Sequence, residues 1–118
     1  MDVFREFQIE AAHWLPNVAE GHKCARLHGH SFRIRVQVEG EVGERSGWVI
    51  DFADLKAAFK PLFEQLDHRC LNEIEGLENP TSENLARWIW NRLEAGLPGL
   101  ASVTVQETCN SGCVFRGP

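Results

Sequence analysis

The sequence predicts an α+β fold, an antiparallel β-sheet with two helices on one face, and three observations lead there. Polar and apolar residues alternate near residues 3–13, 28–40 and 101–108, the pattern of half-buried strands. Between the second and third of these lie two stretches whose apolar residues recur at helical spacing. The elements therefore run strands, helices, strands, which favours helices packed on one side of an antiparallel sheet.

In the first strand, residues 3–13, Phe7, Ile9 and Ala11 share one parity and His13 continues it; Glu6, Gln8 and Glu10 take the other. Residues 14–27 form a connection of fourteen residues, a length usually found in functional or disordered loops. In the second strand, 28–40, Phe32, Ile34, Val36 and Val38 share the parity of His28 and His30. A turn over 41–46 leads to an expected short strand over 47–50. Asp51 suits an N-cap and Asp54 the first turn of a helix that runs to about Leu66. Phe52, Leu55, Phe59, Leu62, Phe63 and Leu66 form its apolar stripe, and Pro61 predicts a bend. Residues 67–80 read as loop. Pro80-Thr81-Ser82-Glu83 opens a second helix with Leu85, Trp88, Ile89 and Leu93 as its stripe, stopped by Gly96 and Pro98. In the strand at 101–108, Ala101, Val103 and Val105 share a parity that Glu107 continues. A last short strand is expected over 113–116, with a tight turn between Cys109 and Cys113.

The chain of 118 residues suits one domain, 1–118, and 43% hydrophobic residues argue against disorder. No apolar run is long enough to span a membrane, and the N-terminus lacks the regions of a signal peptide. A formal charge of −5 without a basic tail argues against a nucleic-acid partner. Four cysteines without a secretory signal read as thiols of a cytoplasmic protein.

Side chains two apart on a strand share a face. His28 and His30 thus stand side by side on the buried face, and antiparallel pairing brings His13 beside them. Three imidazoles with no carboxylate among them suit Zn²⁺, and three protein ligands leave the open position of a catalytic site. The competing reading is three hydrogen-bonded core histidines; convergence by parity favours the metal. Glu107 ends an apolar row and needs a partner: either an arginine of the same fold or a ligand with a pair of donors. Asp67-His68 suits an acid–base pair, although neighbours in sequence need not face each other. Cys24, in the long loop, is either a fourth metal ligand or a base or nucleophile near Lys23 and Arg26.

Ala11-Ala12-His13, Cys24-x₃-His28-Gly29-His30, Leu66-Asp67-His68, Glu78-Asn79-Pro80-Thr81-Ser82-Glu83 and Glu107-Thr108 together resemble the 6-pyruvoyltetrahydropterin synthase superfamily. The three residues between Cys24 and His28 are typical of its bacterial branch, the 6-carboxy-5,6,7,8-tetrahydropterin synthases of queuosine biosynthesis. The resemblance covers nearly the whole chain. It implies Zn²⁺ on His13, His28 and His30, Cys24 as proton acceptor, and Asp67 and His68 as its relay. It places Glu107 among the catalytic residues and as anchor of the pterin, with Thr108 beside it in substrate binding. The implied substrate is a pterin triphosphate. The implied fold is the tunnelling fold, whose sheets join into a barrel within a homohexamer built as a dimer of trimers.

Overall fold

The computed structural model describes residues 1–108 and 110–118. Cys109, and with it the expected turn from Cys109 to Cys113, lies outside the described residues. Among them, four strands form one sheet in the order β1-β2-β3-β4, with β1 spanning Asp2–His13, β2 His28–Glu39, β3 Leu100–Glu107 and β4 Ser111–Phe115. Every pairing is antiparallel. Helix α1, Phe52–Leu66, packs on β1, and α2, Ser82–Leu93, packs on β3 and β4.

Alternation in the sequence becomes alternation in burial. Ile9, Phe32, Ile34, Val36, Val103 and Val105 are fully buried on the helix side of the sheet, against Leu55, Phe59, Leu85 and Ile89. The stripe on α1 is narrower than its sequence suggests. Leu55, Phe59, Leu62 and Leu66 are buried, whereas Phe52 is 52% and Phe63 38% exposed. Asp51 caps α1 by accepting the Ala53 N–H at 2.9 Å, and Thr81 caps α2 by accepting the Asn84 N–H at 3.1 Å. The helix assignment is continuous across Pro61.

Two expectations fail. Residues 47–50 are not a strand. Gly47 adopts φ 73°, its N–H reaches the Gly43 carbonyl at 2.8 Å, and the Gly43 N–H reaches the Trp48 carbonyl at 2.9 Å. These bonds close a compact turn that directs Val49 and Ile50 against the core. In β3, a register shift opposite Gln37 and Val38 places Leu100, not Ala101, across from Val38. The shift is a bulge, which steps one residue out of the row. The Glu39 N–H donates to the Gly99 carbonyl at 2.8 Å, and a Cβ at Gly99 would lie 2.6 Å from the Glu39 oxygen, so only glycine allows that approach.

The last strand begins earlier than expected, at Ser111. Within 67–80 a short 3₁₀ turn, Leu71–Glu73, buries Leu71 in the core.

Candidate metal centre and the groups around it

The antiparallel register of β1 and β2 sets His13 opposite His28 and Ala11 opposite His30. All three imidazoles therefore meet at one end of the sheet, on its helix side. Their ligating nitrogens lie within 4.8 Å of one another, and the rings meet edge to face with centroids 4.6, 5.1 and 4.9 Å apart. Phe32 forms an apolar floor, its ring 5.4 Å from both His13 and His30.

The donor set fits a metal. The Nδ1 atoms of His13 and His28 face the carbonyls of Pro80 at 2.8 Å and Arg26 at 2.6 Å. A carbonyl only accepts, so each Nδ1 carries a proton, and in the neutral ring each Nε2 then keeps a free lone pair. Burial is the largest influence on His13 and holds its pKa below the ordinary value; His28 and His30 push the same way, against the Pro80 carbonyl. That shift favours the neutral ring, the form a ligand needs. The three nitrogens could hold a metal ion, and three protein ligands are the number found in catalytic zinc sites.

Glu107, at the end of β3, turns toward this centre. Its Oε1 accepts from the Ser82 hydroxyl at 2.8 Å, and its Oε2 lies 3.7 Å from His30 Nε2. Among the described residues no arginine pairs with it, so the ion-pair reading fails. Ser82, nearly buried in the first turn of α2, was not foreseen as a site residue. Its position in the capping sequence masked its second contact. Thr108 accepts the Ser31 N–H at 3.0 Å and lies 3.3 Å from His30 Nδ1.

Asp67 and His68 do face each other. Asp67 ends α1, and His68 turns back with φ 58°, a left-handed conformation costing on the order of 1–3 kcal/mol for a residue other than glycine. That turn brings His68 Nδ1 to 2.7 Å from Asp67 Oδ2. The pair is fastened to β1: the Glu10 N–H donates to Asp67 Oδ1 at 2.9 Å and the His68 N–H to the Glu10 carbonyl at 2.6 Å. Burial raises the Asp67 carboxyl, but the bonds from Glu10 and His68 outweigh it and hold the pKa below its usual value. The same run continues along the free edge of β1. The Ala12 N–H donates to the Arg69 carbonyl at 3.0 Å, and the Asn72 side chain exchanges two bonds with the Trp14 backbone, at 3.0 and 2.8 Å. Glu10 also belongs here: Ser31 and Gln8 donate to its carboxylate, and the Ser31 bond is the larger cause of its lowered pKa.

Cys24 lies in a short 3₁₀ turn, Lys23–Ala25, within the long connection. His22, unassigned from sequence, caps that turn: its Nδ1 accepts the Cys24 N–H at 3.0 Å. The Cys24 carbonyl accepts the Leu15 N–H at 2.8 Å, which ties the loop back to the end of β1. Cys24 is not in the cluster of ligating atoms, so the structure gives no support to a fourth thiolate ligand. An open cleft of about 680 Å³ joins His30, Thr108, His68 and Glu10; Cys24 does not line it.

The sequence model of the 6-pyruvoyl tetrahydropterin synthase family matches residues 2–118. A 6-carboxy-5,6,7,8-tetrahydropterin synthase of Synechocystis is 52% identical, covering 98% of this chain and 93% of the relative. Another, from Bacillus subtilis, is 32% identical over 95% of this chain and 82% of its own length. Among solved structures, the 6-pyruvoyl tetrahydropterin synthase of Caenorhabditis elegans superposes with a TM-score of 0.91 at 28% identity, covering 100% of this chain and 96% of that one. No helix of the described chain is long and apolar enough to cross a membrane.

Proposed function

The chain belongs to the 6-pyruvoyl tetrahydropterin synthase family and has its tunnelling fold, and from that premise we propose a 6-carboxy-5,6,7,8-tetrahydropterin synthase acting in queuosine biosynthesis. It is a carbon–carbon lyase. It converts 7,8-dihydroneopterin triphosphate and water to 6-carboxy-5,6,7,8-tetrahydropterin, acetaldehyde and triphosphate. The observation that carries this reading is the 52% identity to the Synechocystis enzyme along nearly the full length of both chains.

We assign His13, His28 and His30 as ligands of Zn²⁺, supported by their nitrogen-only donor set and free Nε2 atoms. When bound, the ion supplies Lewis-acid polarisation of substrate oxygens. Glu107 binds the pterin: its carboxylate, oriented by Ser82, suits two parallel N–H donors. Thr108 adjoins it. Cys24 accepts the proton taken from the substrate side chain. His68, oriented through Nδ1 by Asp67, returns a proton from Nε2. Residues 1–118 act as one cytoplasmic domain. The assembly is a homohexamer of two trimers, an arrangement that would use the two sheet edges, β1 and β4, that a single chain leaves open.

Incubation with dihydroneopterin triphosphate tests the reading. Stoichiometric acetaldehyde and a 6-carboxypterin mass are expected. A three-carbon side chain retained on the product would instead assign the family's other activity, 6-pyruvoyltetrahydropterin synthesis, which the likeness to the Caenorhabditis elegans structure favours.

A further inference from the structure

The three imidazoles differ in what fixes them. His13 and His28 are held by main-chain carbonyls, of Pro80 and Arg26, which no side-chain substitution removes. Among the described residues, no carbonyl meets the Nδ1 of His30. That nitrogen faces the Thr108 hydroxyl at 3.3 Å, and the same oxygen accepts the Ser31 N–H at 3.0 Å. One hydroxyl thus holds both the ring of His30 and the peptide that follows it. Unlike a carbonyl, a hydroxyl can donate or accept. The Ser31 N–H occupies one of its lone pairs and the Nδ1 proton of His30 fits the other.

We propose that Thr108 is a positioning residue for the metal: its hydroxyl accepts from His30 Nδ1, selects the tautomer whose Nε2 is free, and ties that ligand to the strand end that carries Glu107. The proposal rests on the reading of His13, His28 and His30 as metal ligands. Among the described residues it makes Thr108 the side-chain partner of the three outer contacts, and so a handle on metal affinity that leaves the imidazoles untouched. It also narrows any contact of Thr108 with substrate. With two N–H groups on its oxygen, only its own O–H remains, so the group it meets in the cleft is an acceptor.

The test compares the full-length protein with Thr108→Val, nearly the same in shape, and Thr108→Ser, which keeps the hydroxyl. Zn²⁺ affinity is measured by competition with a chromophoric chelator, and the absorption spectrum is recorded with Co²⁺ in place of Zn²⁺. Thr108→Val should bind Zn²⁺ about ten- to a hundredfold more weakly, the usual scale for an outer partner of a ligating histidine, with an altered Co²⁺ spectrum. Thr108→Ser should stay close to the unsubstituted protein. Unchanged affinity and spectrum in Thr108→Val would overturn the proposal, as would equal weakening in Thr108→Ser, which would trace the loss to packing. An unsubstituted protein that takes up no metal would instead overturn the ligand assignment itself. Should Thr108→Val fail to fold, ¹⁵N spectra of the unsubstituted zinc-loaded protein decide: a proton on His30 Nδ1 supports the proposal and a metal on Nδ1 defeats it.

Discussion

The histidine triad and the proposed acid–base residues, Cys24, Asp67 and His68, are placed by opposite means. His13, His28 and His30 stand on regular strands, in ordinary rotation with Ile9, Ala11, Phe32 and Ile34, and His13 is 1% exposed. Nothing local is special about their backbone. Cys24, Asp67 and His68 sit in a 3₁₀ turn, at a helix end and in a left-handed conformation. The His68 side chain is 78% exposed. Strands supply the fixed part, the three imidazoles that could hold a metal ion. Loops carry the proposed acid–base groups, anchored by hydrogen bonds to β1, to Leu15 and to His22.

The sharpest way to break that comparison is at the triad. His28→Ala should lose bound zinc and all measurable turnover together, read by atomic absorption and by acetaldehyde release on one preparation; full zinc occupancy would end the ligand assignment. Cys24→Ala comes next. It should keep its zinc and turn over at least about a hundredfold more slowly, the lower scale for a positioned acid–base group. Zinc loss there would move Cys24 into the metal site, and near-normal turnover would place the proton acceptor elsewhere.

His68→Asn tests the loop-borne side with the fold held constant. Asparagine tolerates the left-handed conformation. Urea unfolding should therefore shift by no more than about 0.5 kcal/mol, as for other surface changes, while turnover falls about a hundredfold. A large loss of stability with normal turnover would make the residue structural. The smallest effect is on the acid limb of stability. The Asp67 carboxyl titrates below its ordinary value in the folded chain. Its stabilising contribution is thus complete above the unfolded value, about 3.9, and is lost as pH falls through the lower folded one. Asp67→Asn should flatten that limb in urea titrations at successive pH values, and an unchanged slope would count against the Glu10 and His68 bonds.

The same contrast explains what was legible in the sequence. Strand parity is a property of the backbone, so His13, His28, His30 and Glu107 are assigned to their faces by counting alone; the residue-by-residue register of β1 and β2 is not, since a slip of two residues keeps every parity. Capping residues are local as well, and Asp51 and Thr81 stand where their types predict. The counting rule fails where one residue steps out of a row, as at the bulge opposite Gln37 and Val38. It fails also where glycine geometry turns an apolar stretch into a loop, as at 47–50. Phe52 and Phe63 show the limit of helical periodicity: an aromatic can sit on the stripe and still overhang the core. Several side-chain contacts, local and distant, left no trace. Ser82 looked only like part of a helix start, His22 like a spare histidine, and Glu10 like ordinary strand polarity. Their partners lie two residues away for His22 and 25 or more for Ser82 and for Glu10 with Asp67.

The run of bonds from residues 67–72 to the free edge of β1 has a consequence for hydrogen exchange. The N–H groups of Glu10, Ala12 and Trp14 are taken up by Asp67, Arg69 and Asn72 of the same chain. By the two-residue repeat, those of Phe4, Glu6 and Gln8 point to the same side, beyond the reach of that segment. One strand then carries amides on two timescales. The first three should exchange slowly at any protein concentration. The other three should exchange quickly in a lone chain and slow down only when a neighbouring sheet docks along residues 2–8, so their exchange rate reads the state of assembly residue by residue.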